Sequence, residues 1–213
     1  MRQSPAATFA VARLFAPRAI AAALALALLT ACGGGDVPQE AYYRLSAPGD
    51  VGVRAGGPLK GAVEVPSFRA DGLLNNRAIV YRQGTNALSG YSYHFWWMAP
   101  AVMLEQSLVD TLRKAKAFDT VTTPELRLNR AFEIVGHIRH LERGPAAVSV
   151  ELELLLRNPR TGAPLLFKTY TQDASIAADA DMSAVVAAFS TAINTIWANF
   201  IADLGNVQSL PAS

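Results

Sequence analysis

The sequence is poor in the residue types from which reactive sites are built. It holds one cysteine, Cys32, and three histidines in 213 residues. No phosphate loop or dinucleotide fingerprint occurs. Leu88-Ser89-Gly90-Tyr91-Ser92 does not match the Gly-x-Ser-x-Gly nucleophile elbow and leads into more aromatic strand. Charged residues make up only 17% and form no basic stripe, which argues against a nucleic-acid partner. The formal charge of +2 is a property of the first 31 residues, where Arg2, Arg13 and Arg18 stand without an acid. Beyond them the 19 basic residues fall to 16, against 17 acids, a formal charge of −1. His137 and His140 are three apart on a strand, so their side chains are expected on opposite faces, which disfavours a metal. Glu151 and Glu153 read as charges on a wet strand face rather than an acid/base couple. No catalytic residue, metal or cofactor is expected.

What is present begins with an apolar run, Ala19 to Leu29, closed by Leu29-Thr30-Ala31-Cys32. A positive start, a short apolar stretch and small residues describe a secretory signal. The run is too short for a spanning helix, which needs roughly 20 residues. The ending resembles a bacterial lipobox, cut before the cysteine, whose thiol then carries lipid. Cys32 is therefore the expected lipid-attachment site, which leaves no thiol for a disulfide, a nucleophile or a zinc site. Gly33 rather than Asp after the cysteine implies an outer-membrane destination facing the periplasm. The chain divides into a lipoprotein signal peptide (1–31), a lipidated cysteine and flexible tether (32–40), one domain (41–205) and a loose tail (206–213).

Within the domain, Ala41 to Leu45, Gly61 to Phe68 and Arg77 to Arg82 read as strands, with another starting near Ala87 after a Gln83–Asn86 turn. Pro100 suits the first turn of a helix that runs to about Ala117, with Leu104, Leu108 and Leu112 on its apolar face. From Ala131 to Asp173 the period changes to two, as in an antiparallel meander. Glu151 and Glu153 are expected to face Arg139 or Lys168 there. A last helix spans Met182 to about Leu204, with Gly205 as the residue that ends it. It has no charge from Ser183 to Ala202, so a membrane span has to be weighed. Its apolar residues, Ile193 and Phe200 among them, fall within about a third of the circumference, which points to a core helix packed on the sheet. The opposite side carries Ala184, Ala187, Thr191, Thr195 and Ala198. That uncharged side reads either as a contact for another protein or another copy of the chain, or as a face covered by the chain's own N-terminal segment or a second sheet layer. The fold class is α/β: one mixed, mostly antiparallel sheet packed by two long helices.

Tyr91-Ser92-Tyr93-His94-Phe95-Trp96-Trp97 is the densest aromatic stretch. Period two puts Tyr91, Tyr93, Phe95 and Trp97 on one face. Core packing and an exposed anchor for a partner both fit. Trp96 and Trp97, with Thr191 and Thr195, are the candidate partner-binding residues.

Several motifs in order resemble the ABC-type transport auxiliary lipoproteins, the PqiC-like family. They are the lipobox at Cys32, Tyr42-Tyr43-Arg44-Leu45, Val63-Glu64-Val65-Pro66, Leu74-Asn75-Asn76-Arg77-Ala78-Ile79-Val80-Tyr81-Arg82, and Trp97-Met98-Ala99-Pro100 opening a helix. The chain departs from the family at Ala99, where an acid is usual, and at Asn76-Arg77-Ala78, where Asp-Arg-Pro is usual. The resemblance implies a non-catalytic periplasmic domain working with an ATPase, a permease and an MCE-domain protein that move lipids between membranes. An outer-membrane structural lipoprotein and a lipoprotein hydrolase are the rival readings.

Overall fold

The computed structural model describes residues 38–47 and 49–207. The signal peptide, Cys32, Gly33 and the tail from residue 208 lie outside the described residues. The meander supplies the frame: β7 (Phe132–Arg143), β8 (Ala147–Arg157) and β9 (Pro164–Ser175), paired antiparallel along their lengths. Alternation decides which side is buried. Val148, Val150, Leu152, Leu154 and Leu156 are fully buried, all from one face of β8.

The other edge of β7 is shared by three short strands, each parallel to it. β2 (Leu59–Glu64) pairs near Phe132, β3 (Arg69–Ala70) at His137, and β4 (Ala78–Gln83) near Arg143. From β2 the sheet continues to β6 (Phe118–Thr122). From β4 it continues to β5 (Ala87–Trp96) and then to β1 (Ala41–Tyr43) at the edge. The antiparallel pairings are long and the five parallel ones short, so the sheet is mixed, as expected. Buried Glu64 and Glu133 both receive Arg130, at 3.2 and 3.3 Å, which ties β2 to β7 where the sheet forks.

Two helices cover the inner face. α1 (Pro100–Lys114) begins at a proline and buries Leu104, Leu108 and Leu112. It stops three residues before Ala117. Lys116 takes a left-handed φ of 49°, its N–H reaches Arg113 O, and Ala117 N–H reaches Leu112 O. This is a Schellman ending with lysine in the usual glycine position. The tight turn frees Phe118 to start β6, a strand the sequence reading lacked.

α2 (Met182–Leu204) starts on the Asp181 side chain, which accepts the Ala184 N–H at 2.7 Å. By length and composition it could cross a membrane. Instead its apolar stripe, with Phe189, Ile193, Trp197, Phe200 and Leu204, is buried on β8 and β9. Gly205 follows with φ −58° and is not the left-handed C′ residue expected. Here glycine is needed for space, since a Cβ would lie 2.9 Å from Ala202 O.

Glu105 is the acid that the α1 interface buries. Burial pushes its carboxyl up, Glu125 adds to that, and a bond with Ser67 opposes it. A raised value means the neutral form stabilises the fold fully below the ordinary glutamate range. That contribution is lost as pH rises through the folded value. Glu105→Gln is therefore expected to raise the thermal midpoint near pH 7 and to lose that advantage below about pH 4. Melting curves across pH check it; equal midpoints at neutral pH contradict the assignment.

Candidate functional site

Among the described residues no three His, Cys, Asp or Glu side chains converge as a metal site. The histidines do differ from expectation. β7 bulges between Ile138 and His140, so His137 and His140 stand opposite Glu153 and Glu151 on the same outer face. His137 bonds Glu153 at 3.1 Å and Asp71 at 2.8 Å, and His140 bonds Glu142 at 3.1 Å. Arg139 lies 4.0 Å from Glu153, as expected, whereas Lys168 pairs with Asp203 instead of a β8 glutamate.

The aromatic stretch divides between the two sides of β5. Trp97 N–H donates to Tyr43 O at 2.6 Å, which docks β1 beside the end of β5. Ala41, Tyr43, His94 and Trp96 share the inner side; Tyr43 Oη and His94 Nδ1 are 3.0 Å apart. Burial pushes the Tyr43 phenol up, with Asp181 adding to it. Trp96 is 1% exposed and meets the Phe189 ring edge-on at 5.4 Å. That burial removes Trp96 from the partner-binding set, because α2 already occupies its surface.

The outer side is different. Tyr42 stacks on Phe95 at 5.7 Å, and Trp97 is 55% exposed. Tyr93 is exposed as well. Arg77 lies over the Tyr42 ring and Arg44 over Trp97, at 5.5 and 5.8 Å. The Tyr42 hydroxyl donates to Glu40, and that bond pushes its pKa up. Tyr91 does not join this row. A bulge between Gly90 and Phe95 turns it toward Tyr81 and His94, and Arg143 donates to its hydroxyl at 2.7 Å. Beside Trp97 a cavity of about 380 Å³ runs between Arg44–Ala47 and the first turns of α1.

The outward side of α2 is partly covered by the chain itself. Ser46 N–H donates to Ser190 Oγ at 3.1 Å, Gly49 lies against Asn194, and Arg54 reaches Leu204 O at 2.9 Å. Ala184, Ala187 and Thr191 remain exposed, and Thr195 and Ala198 are half-buried. Thr191 and Thr195 spend their hydroxyl protons on the Ala187 and Thr191 carbonyls, at 3.1 and 3.0 Å. The strip left open is small and uncharged.

These two surfaces stand out among the described residues. The family model for the ABC-type transport auxiliary lipoprotein component matches residues 43–202. The chain belongs to this family. The match opens at Tyr43, the last residue of β1, and ends two residues short of the end of α2, so it takes in most of the two surfaces but not Tyr42. This auxiliary lipoprotein has the fold of a DUF330-family protein from Xanthomonas campestris. The two are 19% identical, the alignment covers 76% of this chain and 92% of that one, and the TM-score is 0.66. A second crystal structure, of an uncharacterized protein, aligns over 76% of this chain and 97% of its own at 13% identity and a TM-score of 0.58. No curated protein matches the sequence.

One buried group escaped the sequence reading altogether. Arg54 is 7% exposed and donates to Leu204 O, Val207 O and Gly57 O. Burial presses its pKa down. Val51-Gly52-Val53-Arg54 carries no periodic or motif signal that sets this arginine apart.

Proposed function

We propose that this chain is the lipid-anchored, non-catalytic subunit of an ABC-type system that moves lipids or related hydrophobic molecules between the inner and outer membranes. Membership of the auxiliary lipoprotein family carries this reading. Lipid on Cys32 holds the domain to the periplasmic face of the outer membrane, and a permease, an ATPase and an MCE-domain protein complete the system. Each acyl chain carried by the lipidated cysteine contributes about 0.8 kcal/mol per buried CH₂, so several chains anchor the protein durably. The open strip at Ala187, Thr191 and Thr195 is suited to contact with a protein subunit, since small uncharged residues let another backbone come close.

Two measurements test this. Cells fed radioactive palmitate are expected to label the protein, and Cys32→Ser to abolish the label; label persisting in the variant rejects Cys32. The anchored protein is expected to co-purify with an MCE-domain protein from its own cells, and Thr191→Lys to lose that capture while remaining folded. Capture unchanged by the lysine removes the α2 strip from the interface. Absence of any MCE or permease partner in the membrane rejects the transport reading.

A further inference from the structure

The sheet edge at β1 carries an aromatic and cationic face that the described residues leave exposed. Tyr42 and Phe95 stack on it from paired strands, and Trp97 stands in the bend that follows β5, its N–H held by Tyr43 O. Arg44 and Arg77 are laid over two of those rings, and neither makes an ion pair with a described residue. Glu40, engaged by Tyr42, is the acid beside them. Tryptophan and tyrosine favour the boundary between lipid and water, where an apolar ring meets a wet edge. Guanidinium groups without an ion-pair partner complement phosphate.

Chain length adds a second, independent argument. Tyr42 lies ten residues beyond Cys32, so a fully extended tether separates them by about 33–36 Å at most. The described strand that follows the tether directly is β1, which carries this face.

We propose that the outer face of β1 and β5 rests on an anionic lipid bilayer. The rings of Tyr42, Phe95 and Trp97 sit among the headgroups, and Arg44 and Arg77 meet lipid phosphates. The inference deepens the lipid-anchored reading and rests on it for the tether. An anchor and a flat face together fix an orientation, which an anchor on a flexible tether does not.

The test uses the lipoprotein as cells make it, reconstituted into vesicles of phosphatidylethanolamine and phosphatidylglycerol with acyl chains brominated near the headgroup. Trp96 and Trp197 are buried, so the emission lost in Trp97→Phe isolates the Trp97 signal. Brominated lipid is expected to quench most of that signal, and Arg44→Glu with Arg77→Glu to restore most of it. Flotation separates this proposal from the anchor. Protein that floats with Trp97 unquenched keeps the anchor and overturns the bilayer contact. Protein without acyl label that still floats with Trp97 quenched keeps the contact and removes the anchor. Protein that neither floats nor is quenched overturns both. If Trp97 is shielded from soluble iodide in detergent, untouched by brominated lipid, and exposed again on dilution, the face belongs to a second copy of the chain and the proposal fails.

Discussion

Phe200→Ala is expected to cost about 3–5 kcal/mol and to lower the thermal midpoint by roughly 6–20 °C. Phe200 is fully buried in the seam between α2 and β9. Its ring meets Tyr170 edge-on at 5.9 Å. Tyr170 in turn donates to Asp203 at 2.7 Å, and Lys168 holds the same carboxylate at 2.8 Å. Truncation therefore opens a cavity and loosens the support of a polar tie at the end of the helix. Burial pushes the Asp203 carboxyl up, but the Lys168 and Tyr170 bonds outweigh it and leave it below its ordinary value. A lowered value means that this tie helps stability above the ordinary aspartate range and is lost as pH falls through the folded value. Phe167 lies on the outer face of β9 and is 65% exposed. Phe167→Ala is the control, with a change expected within about 0.5 kcal/mol. Circular dichroism melts of both variants decide the matter; similar midpoints for the two contradict the assignment.

Arg54→Ala is expected to cost about 2–4 kcal/mol, read from urea unfolding. A single planar guanidinium serves three carbonyls, two of them at or beyond the end of α2. The positive charge also complements the negative end of the helix. Alanine takes the side-chain donor from the Gly57 and Val207 carbonyls and leaves Leu204 O with the Val207 N–H alone. Arg54→Lys is expected to recover only part of the loss, because a point-like ammonium cannot reproduce the fork. A full recovery by lysine shows that charge alone is what the helix end needs.

The elements that could be read from the sequence are those whose burial follows a local period. The alternation from Ala131 to Asp173 became β7, β8 and β9, and the stripe from Met182 to Leu204 became α2. Elements defined by distant partners were hidden. β6 is five residues long and has its partner in β2, some sixty residues earlier in register. The end of α1 was overrun because Lys116 adopts a backbone conformation in which glycine is the usual signal. The bulge at Arg139 inverted the expected relation of the two histidines. Adjacent tryptophans at 96 and 97 had to point opposite ways, but nothing local says which is inside. Phe189 of α2 decides that by filling the space against Trp96.

The cover of α2 by residues 46–54 also governs the order in which the protein can become whole. Ser46 and Ser190 are 144 residues apart in sequence, and Arg54 and Leu204 are 150 apart. A chain is made N-terminus first, so its opening segment is translated earliest and paired almost last. The β7–β8–β9 hairpins need only near neighbours and can close while that segment still waits for α2. Contacts of such long separation slow folding, and until they form Leu45 and Val51 remain open to water and to other chains. For this architecture, the time spent half-finished is set by the arrival of α2, from Met182 to Leu204.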